Sequence, residues 1–292
     1  SRGLGDVYKR QTPQDTIKAI KMPAIPQMMT APEQRADFLA KHYWDNVNFA
    51  DTNYIHHPEV TEQAWADYCD LLNHVPLETA QQAMRNVIDR TNVDKKVFTY
   101  ITDLADKYLY DPNSPMRNEE FYIPVLEAMI ASPVLNETEK IRPQARLKLA
   151  QKNRIGTKAL NFTYTLASGA QGSLYQLKAE YLLLFINNPG CQACTETIEG
   201  LKNAPIINQL LQEKKLVLLS IYPDEELDEW KKHLSEFPNE WINGYDKKFT
   251  IKEEQVYDLK AIPTLYLLDK DKTVLLKDAT APAIEAYLMQ HQ

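Results

Sequence analysis

At 292 residues the chain is long for one domain and comfortable for two, each with its own core. Its 44% apolar and 25% charged residues are those of an ordinary globular protein, and 8 glycines against 16 tyrosines exclude low-complexity sequence. A net charge of −7 offers no broad basic surface, which argues against a nucleic-acid partner, and no apolar run approaches the ~18 residues of a membrane span.

The first stretch, "SRGLGDVYKRQ", has no starting Met, no apolar core and no periodicity. It reads as a cloning or assembly remnant and is set aside from fold reasoning. A true N-terminus with an export signal is therefore expected to be missing. "KMPAIPQMMTAP" follows, with three prolines in twelve residues, and reads as a tether. Residues 1–31 are thus assigned to remnant and tether.

From 32 to 153 the period is helical. In "LETAQQAMRNVIDR", Ala80, Ala83, Met84, Val87 and Ile88 fall on one helical face. Val97, Ile101, Leu104 and Tyr108 form a second stripe, and Tyr122, Val125, Leu126 and Met129 a third. Asn136 with Glu139 three residues on is a capping-box signal for another helix. "YDPNSPMRN" is too rich in Pro, Asn and Asp to be anything but a shaped loop. Five to seven helices and no strand are expected.

From 154 to 292 the pattern changes. Phe162, Tyr164 and Leu166 alternate at period two before a Gly-bearing turn, the mark of a hairpin. "EYLLLFINN" and "KLVLLSIY" are continuous apolar runs of strand length, as expected for strands buried on both faces. Helices are expected in "TETIEGLKN", "PIINQLLQEK", "EELDEWKKHLSEF", "KEEQVYDL" and "APAIEAYLMQ". "AIPTLYLLDKDKTVLLKD" reads as two strands joined at Asp-Lys-Asp. The fold class is therefore an all-α helical domain followed by an α/β domain, a mixed central sheet with helices on both faces.

Three cysteines allow at most one bridge. Cys69 sits at helical spacing with Trp65, Tyr68 and Leu72 and reads as a small buried residue. Cys191 and Cys194 are the remaining pair, between a buried strand and a helix. Unpaired N–H groups and the helix dipole at that point favour a thiolate at Cys191. Cys194, almost one turn on, is shielded by its own helix. One accessible nucleophile and one resolving thiol are what exchange through a mixed disulfide requires.

"YLLLFINNPGCQAC" together with "YDLKAIPTLYLLDKDKTVLLKD" resembles the thioredoxin superfamily. The resemblance implies a cis peptide before Pro263, packed against the disulfide, and pairing of an extended substrate with the backbone at Ile262. Cys191 and Pro263 are 72 positions apart. That extra length and the leading hairpin resemble the extracytoplasmic TlpA and ResA type of bacterial thiol–disulfide oxidoreductase. The helical part resembles an uncharacterised domain that precedes such modules in envelope lipoproteins. Where the superfamily usually has Trp before the first Cys, this chain has Gly190, expected at the substrate surface. Gln192-Ala193 replaces Gly-Pro, and Thr197 stands where the TlpA type has Glu, leaving Glu196 as the acidic neighbour.

These residues lead to thiol–disulfide exchange with a disulfide-containing protein substrate, served by an upstream redox partner, without cofactor or metal. The expected location is the bacterial periplasm or envelope, with a membrane tether through the missing signal. Zinc would need two more ligands than the pair supplies, and no His pair has zinc-site spacing. A peroxidase would need Thr or Ser where Asn188 stands. The rival of another class is a binding or assembly protein that uses the fold as a scaffold.

Overall fold

The computed structural model describes residues 20–292. The proposed remnant, residues 1–11, lies outside them, and residues 20–31 form neither helix nor strand. The chain divides into two compact units, one ending at Leu147 and the other beginning at Lys148.

The first unit contains α-helices Pro32–His42 (α1), Asn53–His56 (α2), Pro58–Leu71 (α3), Leu77–Arg90 (α4), Lys95–Ala105 (α5) and Glu119–Ala131 (α6). Helix Glu137–Ala150 (α7) follows. No strand occurs among its described residues. The face predicted for α4 is buried at all five positions. Asp94 caps α5 by accepting from the N–H groups of Lys96 and Val97, and Asn136 and Glu139 form the reciprocal capping box before α7. Tyr43, Trp44, Trp65 and Tyr68 pack as an aromatic cluster at the centre.

One tertiary detail repairs a local conflict. Pro124 lies inside α6, so the Glu120 carbonyl has no helical N–H to accept from. Gln81 Nε2 on α4 donates to that oxygen at 3.1 Å. The proline is tolerated because a neighbouring helix supplies the donor that it lacks.

The second unit is a seven-stranded sheet, Thr163–Leu166 (β1), Gln171–Ser173 (β2), Tyr181–Ile186 (β3), Leu216–Tyr222 (β4), Ile242–Tyr245 (β5), Thr264–Asp269 (β6) and Val274–Lys277 (β7). Its spatial order is β2-β1-β5-β4-β3-β6-β7. β3 lies parallel to β4 and antiparallel to β6, so the sheet is mixed. Alternate residues of β3 serve opposite faces. Leu183 and Phe185 pack under helices Gln192–Asn203 (α8), Pro205–Gln212 (α9) and Ala281–Gln290 (α12). Leu182, Leu184 and Ile186 pack on the other side with Phe162, Tyr164, Leu174, Tyr257 and the short helix Thr250–Glu253 (α11). Helix Leu227–His233 (α10) packs Trp230 against Tyr222 and Tyr245.

One local expectation is corrected, and one strand was not foreseen. The helix expected over "KEEQVYDL" stops at Glu253, because Gln255 takes a left-handed φ of 52° and Tyr257 turns into the core. β5, in "INGY", carries no strand-like alternation. It exists because β4 and β1 both pair with it, and because Gly244, having no Cβ, leaves room for the Tyr164 side chain against it.

Candidate active site

The pairing of β3 with β6 brings the two halves of the site together. Ile186, the last residue of β3, is in register with Thr264, the first of β6. The chain leaving β3 and the chain entering β6 therefore emerge side by side, although far apart in sequence.

After Ile186 the loop is tied down by two asparagines. Asn187, 3% exposed, donates from Nδ2 to Ser220 Oγ at 2.9 Å, and its backbone N–H extends the ladder to Ile221 O. Asn188 Nδ2 donates to Asp224 Oδ2 at 2.7 Å, and Lys252 Nζ holds the other oxygen of that carboxylate at 2.6 Å. Gly190 then takes φ +78°, a left-handed turn that favours glycine, and a side chain there would meet nothing within 4 Å. A glycine before the first cysteine thus both turns the chain and leaves the approach to the thiol open. On the far side of this turn lies an open groove of ≈ 410 Å³ bordered by Tyr222, Asp224, Glu225 and Glu229.

Cys191 is the N-cap of α8. Its Sγ accepts the backbone N–H of Cys194 at 3.3 Å and lies 3.7 Å from Ile262 O, within reach of a long thiol hydrogen bond. The cap geometry leaves it partly exposed. Cys194 is 1% exposed, and burial, reinforced by contact with Cys191, pushes its thiol up to about 12. Both are free thiols. One sulfur therefore faces solvent on a donor-rich helix terminus, and its neighbour stays protonated beneath it.

The Ile262–Pro263 peptide is cis. Ile262 packs its side chain on the sheet core while its carbonyl faces Cys191. Thr264 Oγ1 closes the turn by donating to Ala261 O at 2.6 Å. All five residues singled out in the sequence therefore belong to two adjoining segments, 190–194 and 262–263. Glu196 does not join them: its carboxylate accepts from Gln192 Nε2 along the exposed side of α8. Thr197 likewise bonds within its own helix, to Ala193 O. Among the described residues no group of three His, Cys, Asp or Glu side chains gathers as metal ligands. Asn187 and Asn188 carry the loop; the sequence places them only at the end of the apolar run of β3, with Asn188 weighed against a peroxidase.

Comparison with known proteins places the chain. The profile described as Domain of unknown function (DUF5106) matches residues 6–153, and a thioredoxin-like profile matches residues 179–274. A thioredoxin-like protein from Bacteroides caccae, known as a crystal structure, is 84% identical with a TM-score of 0.92. That match covers 95% of this chain and all of the other. This chain belongs to the thioredoxin-like proteins of the DUF5106 family. The C-terminal domain of an uncharacterised Bacteroides fragilis protein is 69% identical over 47% of this chain and 98% of its own, with a TM-score of 0.46. The thioredoxin domain of a Bacteroides vulgatus thiol–disulfide oxidoreductase is similar at 20% identity, covering 47% of this chain and 97% of its own, with a TM-score of 0.43. No curated protein matches the sequence. In this DUF5106-family protein, then, the cysteine pair and the Ile262–Pro263 turn lie on the thioredoxin-like half.

Proposed function

We propose that this protein is a thiol–disulfide oxidoreductase that acts on protein disulfides through Cys191 and Cys194. The observation that carries the reading is the asymmetry of the pair: Cys191 sits partly exposed at a helix N-terminus beside the Ile262 carbonyl, and Cys194 is buried behind it. The Cys191 thiolate attacks one sulfur of the substrate disulfide. A bond forms between Cys191 and that sulfur, the substrate S–S bond breaks, and the displaced sulfur takes a proton from water. Cys194 then gives up its proton and attacks the Cys191 sulfur, which releases the second substrate thiol. The substrate has gained two electrons and two protons, and the enzyme holds a Cys191–Cys194 disulfide. An upstream dithiol partner must return two electrons for the next turnover.

Such chemistry suits a compartment where substrate disulfides persist. The proposal therefore extends to a TlpA- or ResA-like role in the bacterial periplasm or envelope, with a tether supplied from upstream of the thioredoxin-like half. Among the described residues no helix is long and apolar enough to cross a membrane.

The test is Cys194→Ser in the full chain, incubated with a disulfide-bonded protein. It is expected to stop turnover and accumulate a mixed disulfide through Cys191, because nothing remains to resolve it. Absence of any trapped species, with equal alkylation of Cys191 and Cys194 in the wild type, would leave the scaffold reading in its place.

A further inference from the structure

The Ile262 carbonyl can meet an extended substrate only if the chain before it is held in place. That chain has no regular structure: residues 254–263 are neither helix nor strand. The upstream end is anchored by Asn153 Nδ2 on Val256 O and by Tyr257 OH on Leu160 O, both at 2.8 Å. The downstream end is anchored by β6 itself.

Between those anchors lies a buried charge cluster. Lys260 Nζ is 2.9 Å from Asp278 Oδ2 and 3.4 Å from Asp258 Oδ2. The side chains of Lys260, Asp278 and Asp258 are only 8%, 10% and 15% exposed. Asp258 belongs to the same irregular segment, whereas Asp278 follows directly on β7, so the Asp278 bond ties the loop to the sheet. An ammonium is a poor choice for a surface this enclosed unless its partners are fixed. Its removal would take from both carboxylates the cation that they share, and with it the tie between the loop and the end of β7.

We propose that Lys260 is a positioning residue for disulfide exchange: by bridging Asp258 and Asp278 it fixes the Ile262 carbonyl beside Cys191, and so aligns an extended protein substrate. The proposal rests on the function inferred above. It separates two kinds of substrate. A protein disulfide that must lie along Ile262 depends on the bridge, whereas a small reagent that needs only the Cys191 sulfur does not.

The experiment compares wild type, Lys260→Met, Lys260→Arg and Asp278→Asn in the full chain. With disulfide-bonded insulin as probe and dithiothreitol as the recycling reductant, Lys260→Met is expected to raise KM about tenfold with kcat within threefold. Alkylation of Cys191 by iodoacetamide should change less than threefold. Lys260→Arg should recover most of the KM, and Asp278→Asn, which cuts the tie but leaves Lys260 paired with Asp258, should show a smaller rise. Amide exchange of the 254–264 peptide should accelerate in Lys260→Met and Asp278→Asn, with peptides other than it and the end of β7 unchanged. Equal KM values with unchanged exchange would overturn the proposal, as would equal losses for insulin and iodoacetamide. Should Lys260→Met fail to fold, Asp278→Asn decides on the same readings. If the wild type does not reduce insulin, the functional reading fails by itself. The exchange arm then decides whether the bridge holds the loop, and unchanged exchange in that case overturns the bridge as well.

Discussion

In the helical unit, Cys69 lies in the last turn of α3 beside Trp65 and Tyr68, 1% exposed, and burial holds its thiol far above the usual range. In the thioredoxin-like unit, Cys191 is the N-cap of α8, with a backbone N–H directed at its sulfur. Both residues belong to helices. What separates them is where the helix keeps its unpaired N–H groups: beyond the first turn they are all engaged along the axis, and at the N-terminus they are free to meet an anion. The same contrast runs through the two cores. The helical unit is organised around one interlocked aromatic cluster, whereas the other unit builds two apolar layers, one on each face of a sheet, and leaves its chemistry to the loops at the strand ends.

The largest expected effect breaks the cysteine comparison directly. Cys191→Ser should lower protein-disulfide reduction by about 10³-fold or more, to the uncatalysed background. Cys69→Ser should leave the rate within twofold and instead cost about 1–3 kcal/mol of stability for burying a hydroxyl. Rate assays with chemical denaturation of both variants read the two effects, and a rate loss in Cys69→Ser would erase the distinction between them.

The cores can be set against each other in the same way. Trp65 is completely buried in the aromatic cluster, and Trp65→Ala should cost about 3–5 kcal/mol, with amide exchange accelerating in helical-unit peptides. In the other unit, a Cβ at Gly244 would lie 3.0 Å from Tyr164 Cδ2 and 3.3 Å from Thr165 O. Gly244→Val should therefore force the β1–β5 edge apart at a cost of about 1–3 kcal/mol, read as faster exchange in β1 and β5 while β3 stays protected. Exchange that rises equally across both units in either variant would contradict two separate cores.

The smallest effect concerns alkaline pH. Burial raises Tyr43 and Tyr122 of the helical unit from 10.0 to about 12. A phenol that ionises less readily when folded loses protons first in the unfolded chain. Its contribution is intact below pH 10 and falls away as pH rises towards 12. Denaturation midpoints of the helical unit should fall across that window, together with the appearance of tyrosinate absorbance. A midpoint that stayed level would show that these phenols ionise freely in the folded protein.

Much of this molecule was legible from residue order alone. Helical stripes such as Ala80 to Ile88, the Asn136–Glu139 cap and the apolar runs of β3 and β4 are local patterns, set by periods of 3.6 and 2 and by short-range hydrogen bonds. The cysteine pair was visible for the same reason, since strand, turn and helix N-terminus follow one another within a few residues. What depended on partners distant in sequence was not. β5 is a strand because two neighbours pair with it, the helix expected after Lys252 yields to Tyr257 reaching the core, and Pro124 survives in α6 because Gln81 lies opposite. The asparagines that brace the Cys191 loop and the lysine that braces the Ile262 loop have the same character. Each is an unremarkable polar residue in its own segment, and it acquires a role only when folding sets a carboxylate or a hydroxyl within about 3 Å of it, a distance that no local periodicity encodes.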